Sequence, residues 1–200
     1  MTNTQIANLA LRHLGATKLI ADLDSEDSKE ARAVRSFYDL ALDEMLRAAK
    51  WGFATTHVDL SLVDEDPTDE WAYSYAYPSN CLMIHRIMSG ARNDSRETRV
   101  PFQVIYSANQ TLIYTDMEDA SVEYTYRVSE TARFTPEFTS AFAMLIAAYI
   151  APNMTAGDPA KFGERALGLY QLAFARAAAM SRNEEQPDIE PGGSLLNARA

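Results

Sequence analysis

The chain is poor in the residues that carry covalent and metal chemistry. It holds one cysteine, Cys81, in 200 residues, so an internal disulfide is excluded and nothing ties the fold to an oxidising compartment. Its three histidines, His13, His57 and His85, fall in different predicted elements. No His-Glu-x-x-His pair, Cys-x-x-Cys pair or Cys–His spacing occurs, which argues against a zinc site. No Gly-x-Gly-x-x-Gly or Walker-type phosphate loop occurs either. Gly192-Gly193 has no predicted strand before it and no helix after it, so a nucleotide site has no support. No apolar run approaches the roughly 20 residues that cross a bilayer. The opening Met1-Thr2-Asn3-Thr4-Gln5 lacks a basic and an apolar stretch, which predicts no secretory signal. Lysine is scarce too, with 4 Lys against 14 Arg.

Acids are what the chain has in excess. The 28 Asp and Glu outnumber the 18 Lys and Arg, for a net charge of −10. Such a balance disfavours a protein that clamps nucleic acid by neutralising phosphates, although DNA could slide past it without sticking. The arginines suit planar, multiply bonded contacts at protein interfaces. Acid pairs such as Asp43-Glu44, Asp64 to Glu70 and Glu118-Asp119 could in principle serve a glycosidase, but acids clustered in loops are ordinarily solvated surface. Cys81 and His85, four apart in a predicted strand, read as packing residues rather than a nucleophile and its base. Alternating Tyr73, Tyr75 and Tyr77, then Tyr124 and Tyr126, read as a half-buried sheet face or a protein interface, since a base-stacking platform would need a basic groove. The residues themselves point to no catalytic centre and no cofactor.

Patterning predicts helices at both ends and strands between. Ile6, Leu9, Ala10 and Leu14 share a face of a first helix, Asn3 to Leu14, capped by Thr2 or Asn3 and stopped by Gly15. A second helix begins at Ser25 or Asp27 and carries Val34, Phe37, Tyr38, Ala41, Leu42, Met45 and Leu46 towards Lys50. Strands are predicted at 58–62, 73–77, 82–88 and 122–127, with a hairpin pairing 102–106 and 111–115 and a polar loop at 90–98. A third helix starts at Pro136, buries Phe138, Phe142, Leu145, Ile146, Tyr149 and Ile150 along one side, and closes at Pro152. A fourth opens at Asp158-Pro159 and runs to Arg182 through Phe162, Ala166, Leu169, Tyr170, Ala173, Phe174, Ala177 and Met180. Five alanines between Ala173 and Ala179 let another helix come close.

The expected fold is α+β: a four-helix bundle with a small antiparallel β unit inserted between helix 2 and helix 3, and a disordered C-terminal tail. Residues 1–54 and 134–182 form the bundle in this reading, 55–133 the insertion and 183–200 the tail, whose prolines, glycines and acids leave too few apolar groups to order it.

A family resemblance spans nearly all of residues 1–182. The opening Ile6-Ala7-Asn8-Leu9-Ala10-Leu11-Arg12-His13-Leu14-Gly15-Ala16 resembles the start of the head-to-tail adaptors of short-tailed bacteriophages, also called tail tubular protein A or gatekeeper proteins. Asp22-Leu23-Asp24-Ser25-Glu26-Asp27-Ser28, Glu30-Ala31-Arg32 and Phe37-Tyr38 resemble the start of that family's second helix. Trp51-Gly52-Phe53-Ala54 resembles its Trp-x-Phe-Ala, with Gly52 where asparagine is usual, and Ala76-Tyr77-Pro78-Ser79-Asn80-Cys81-Leu82 resembles its Tyr-x-x-Pro turn and Cys-Leu pair. The resemblance implies a non-enzymatic virion protein of the tail or neck, assembled in the host cytoplasm, with no cofactor and no membrane partner. It implies a ring of about twelve copies, monomeric in isolation for some members. That ring joins the portal to the distal tail (nozzle) protein and lets genomic DNA pass without tight binding. The surfaces expected to meet portal and neighbours lie on helices 3 and 4 and the tail: Phe138, Phe142, Tyr149, Tyr170, Phe174, Arg176, Arg182, Ile189, Leu195 and Leu196. The alternatives are a tail-associated polysaccharide hydrolase using acids of the β unit, and a non-viral protein-interaction scaffold.

Overall fold

A computed structural model describes residues 1–65, 67, 70–91, 99–107, 110–154 and 159–184. The elements run α1 (Asn3–His13), α2 (Lys29–Ala48), β1 (Thr55–Asp59), β2 (Tyr73–Ala76), β3 (Cys81–Met88), β4 (Phe102–Tyr106), β5 (Thr111–Thr115), β6 (Ser121–Tyr126), α3 (Pro136–Met154) and α4 (Pro159–Asn183). Described residues fall into two compact units: Met1–Ala54 with Arg127–Glu184, and Thr55–Tyr126. The expected tail lies outside the described residues from 185 on, as do 92–98 of the predicted polar loop and Asp158 of the predicted cap.

In the helical unit, short-range chemistry sets the helix ends. Thr2 and Gln5 form a capping box: the Gln5 amide N–H donates to the Thr2 hydroxyl and the Thr2 N–H donates to the Gln5 side chain. Gly15, at φ +75°, turns the chain out of α1, and the Ala16 and Gly15 N–H groups donate to the Leu11 and Arg12 carbonyls, the double closure a left-handed residue permits. The second helix starts later than the sequence predicts, at Lys29, because the Ser28 hydroxyl takes the capping bond from Ala31 N–H. The residues before it fold as a turn instead. Arg35 donates to the carbonyls of Leu23 (2.6 Å) and Glu26 (2.8 Å), and Asn8 makes two 2.8 Å bonds to the backbone of Ile20.

The helices do not form a four-helix bundle. Bundles need four amphipathic helices sharing one core. Here α3 is apolar on every side, burying Phe138, Ala141, Phe142, Ala143, Leu145, Ile146, Ala147, Ile150 and Ala151. A helix apolar all round belongs at the centre. Accordingly α1, α2 and α4 each pack on α3, most extensively α4, while α1 and α2 barely touch. The one-sided stripe predicted for helix 3 is therefore only part of its buried surface. Pro152 does not close this helix but lies inside it, two residues before Met154.

Trp51 locks the helical unit together. Its ring is buried, its Nε1–H donates to the Met45 carbonyl at 2.8 Å, and it meets Phe138 edge-on with centroids 4.9 Å apart and Phe174 at 6.0 Å. Phe53 meets Phe138 at 5.0 Å. Three separated stretches of chain thus converge on one aromatic cluster.

The small antiparallel unit expected is instead a two-sheet structure. It holds two three-stranded antiparallel sheets, ordered β1-β6-β3 and β2-β5-β4. The first predicted strand is displaced: pairing runs over Thr55–Asp59, and Leu62 makes only an isolated bridge to Tyr75. Tyr75, Ile87, Ile113 and Ala120 form a core drawn from both sheets, with Leu60, Tyr73, Tyr77, Ile84, Val100, Phe102 and Met117 packed around it. The Tyr75 hydroxyl donates to the Met117 carbonyl at 2.9 Å, so its polar end is satisfied. The alternating tyrosines at 73, 75 and 77 are thus a core-facing row.

The packing around Trp51 yields a stability prediction. Trp51→Ala should lower the unfolding free energy by about 3–5 kcal/mol, the usual loss for removing a buried aromatic. Urea titration followed by circular dichroism measures it, and a loss below about 1 kcal/mol would contradict the central place given to this ring.

Candidate functional site

The tenfold set of expected interface residues divides by burial. Phe138 and Phe142 are fully buried and hold the core between Trp51, Phe134 and Tyr38. They have no surface left for a partner, because α3 is the central helix rather than a bundle wall. Tyr149 is half-buried and occupied within the unit: its ring stacks on Phe37 at 5.5 Å and its hydroxyl donates to Glu44. That bond, followed by burial, pushes the Tyr149 phenol up to about 12. Tyr170 is partly buried, its phenol raised by burial and then by Glu44, and Phe174 turns its ring towards Trp51. Arg176 and Arg182 are exposed. Ile189, Leu195 and Leu196 lie outside the described residues.

The structure places the exposed apolar surface elsewhere on α4. Phe162, Leu169 and Met180, members of the apolar series predicted for helix 4, are 36%, 38% and 44% exposed, and Leu172 is 73% exposed. The buried seam is narrower than the sequence stripe and consists of Ala166, Ala177 and Ala178, with Tyr170 and Phe174 beside them. Small residues permit this close approach: a Cβ added at Gly163 would meet the Ala151 Cβ at 3.8 Å. A seam of small side chains on a single partner helix leaves the large ones on its flank uncovered. The signal was present in the sequence as an apolar arc too wide for one helix–helix contact. Leu172, outside the predicted stripe altogether, was missed.

A second cluster sits in the β unit. Glu123, on the central strand β6, is 4% exposed. His57 on β1 and Arg86 on β3 are its direct cross-strand partners, with His57 Nε2 at 3.0 Å and Arg86 Nη2 at 3.1 Å from the same carboxylate oxygen. β3 reaches this register through an irregularity between Ile84 and Arg86, an extra residue of the kind that re-aims a strand's side chains. His85, the residue between, bonds the Thr125 hydroxyl at 2.7 Å. His85 is thereby engaged on β6. This carboxylate ties three strands together. None of the acid pairs noted in the sequence takes part, because cross-strand register is set far along the chain.

An open groove of about 720 Å³ lies beside the start of α1, lined in part by Thr2, Asn8, Asp22, Asp24 and Glu130. The Ser25 hydroxyl and the Asp24 N–H, both donating to Asp22, hold its carboxyl below the usual range. These bonds shape the turn that precedes α2. Among the described residues, no group of three His, Cys, Asp or Glu side chains could hold a metal ion. No helix is long and apolar enough to cross a membrane among them.

Glu123→Ala should destabilise the β unit by about 3 kcal/mol, since it strips a buried carboxylate from its contacts with Arg86 and His57. His57→Ala, at a largely exposed side chain, should change stability by less than about 1 kcal/mol. Chemical denaturation of both variants checks the ranking, and equal losses would refute it.

Compared with protein-family models and with curated proteins, the chain matches none.

Proposed function

We propose that the chain is a head-to-tail adaptor of a short-tailed bacteriophage: a structural, non-enzymatic protein that assembles as a ring between the portal and the distal tail protein. The observation that carries this reading is the outer face of α4, where Phe162, Leu169, Leu172 and Met180 are exposed together. Large apolar side chains exposed along one sector of a helix suit a protein partner. The sequence resemblance names what kind of partner. Its quoted motifs fall on residues that organise the fold: Gly15 ends α1, Trp51 centres the aromatic cluster, and Pro78 accepts the Cys81 N–H in the turn before β3. The surplus of negative charge also suits a lumen through which DNA moves without adhering.

Mixing the purified chain with its candidate portal ring, and weighing the product by native mass spectrometry, tests the proposal. A discrete complex carrying about a dozen copies is the expected result. Absence of any complex with an intact portal would overturn the adaptor reading. Removing residues 185–200 should weaken that complex while leaving the unfolding midpoint of the chain unchanged. Attachment of the truncated chain at full strength would remove the tail from the account.

A further inference from the structure

The outer face of α4 differs from the rest of the chain in charge as well as polarity. Successive helical residues turn by ~100°, which gathers Phe162, Leu169, Leu172, Ala173 and Met180 into one sector roughly 100° wide. Arg165 and Arg176 fall inside that sector and Lys161 falls beside it. The only acid of α4, Glu164, lies in a different sector. Among the described residues, Arg165 and Arg176 have no ion-pair partner. A chain with net charge −10 therefore presents one apolar face that is locally cationic. Its occupant must offer an exposed apolar group set among carboxylates.

The same helical unit carries such a feature on another helix. Leu40 of α2 is 56% exposed, the most exposed large apolar side chain of this unit outside α4 apart from Met1. Asp39 adjoins it, and Asp43 and Glu44 lie one helical turn on. Arg127 answers two of these three acids, Asp39 at 2.9 Å and Asp43 at 2.7 Å, so the surroundings of Leu40 keep negative charge in excess. Arg47 stands two turns further along. The α4 face does not complement itself, since its cations would face each other. The surroundings of Leu40 complement it.

We infer that the outer face of α4 docks on the Leu40 face of α2 in a second copy of this chain. The inference rests on the ring-forming adaptor reading and specifies its contact between subunits. Two different faces meeting head to tail produce a ring when the rotation closes, whereas a self-complementary patch stops at a dimer. Residues at the contact would be Phe162, Leu169, Leu172 and Arg176 on one copy, against Leu40 and Asp43 on the next.

The test uses the full chain on a Cys81→Ser background, so that each variant has one cysteine. Leu40→Cys and Leu172→Cys chains are mixed and treated with a short bismaleimide, alone at high concentration and together with the candidate portal ring. A product joining the two variants, well above either variant with itself, is expected in at least one arm. Leu172→Glu should weaken self-association by about tenfold or more, while Leu172→Lys should retain it within about twofold, because only the first sets like charges together. Both substitutions sit at a solvent-exposed site, so circular dichroism should be unchanged.

Cross-links confined to like pairs, or none in either arm, would overturn the inference. So would equal association of the Glu and Lys variants. A dozen-copy ring on the portal without the mixed cross-link removes this contact and leaves the adaptor reading standing. The mixed cross-link without any portal complex does the reverse.

Discussion

The helical unit depends on α3 having no polar side. Once a helix buries Phe138, Phe142, Ile146 and Ile150 together with Ala141, Ala147 and Ala151, every direction around it must be covered. The chain supplies three covers: α1 and α2 from before the β unit, and α4 from after it. That demand accounts for the interrupted unit. The ends of the insertion have to meet, and they do so as neighbours in one sheet, with Thr55 paired to Thr125 and Asp59 to Ser121. Closing a loop of that length costs only slightly more than closing one half as long. The apolar burial around α3 then holds both halves of the unit without a disulfide between them.

Much of this was legible in the sequence wherever the signal was local. Thr2 and Gly15 mark the ends of α1 because capping depends on residues within a few positions of each other. The pairing of 102–106 with 111–115 was readable for the same reason. Partition of the strands into two sheets was not, since β1 finds β6 more than sixty positions away and no turn chemistry announces it. The link of Glu123 to His57 and Arg86 was hidden behind the same long-range pairing, and behind the irregularity that brings Arg86 into register. The bundle expectation failed at α3. Its apolar spacing satisfied a one-sided template, while the alanines between the large residues were also core.

The case of α4 is different, because the sequence carried the information and the template concealed it. A stripe containing Phe162, Leu169 and Met180 looks like a buried face when every helix is assumed to have neighbours on two sides. Once α4 packs mainly on α3, through a seam of alanines and Gly163, the large residues beside that seam have nothing to cover them. Burying them against α3 instead would require a wider separation of the two helices, which the small residues of the seam argue against. The exposed leucines are therefore a consequence of how tightly the two helices meet.

Charge sets the direction of any assembly built on that face. An exposed apolar strip alone would be a hazard, open to every other apolar surface in the cell. Arg165 and Arg176 narrow the choice, since a partner must bring carboxylates to their level before the leucines can close. Phe138 and Phe142 cannot join such a contact without dismantling the core, whereas Leu172 can join it without moving any residue that holds the fold. The seam that holds α4 on α3 and the exposed apolar residues of α4 thus lie on separate sides of one helix. A change on the outer face can therefore leave untouched every residue that holds the fold.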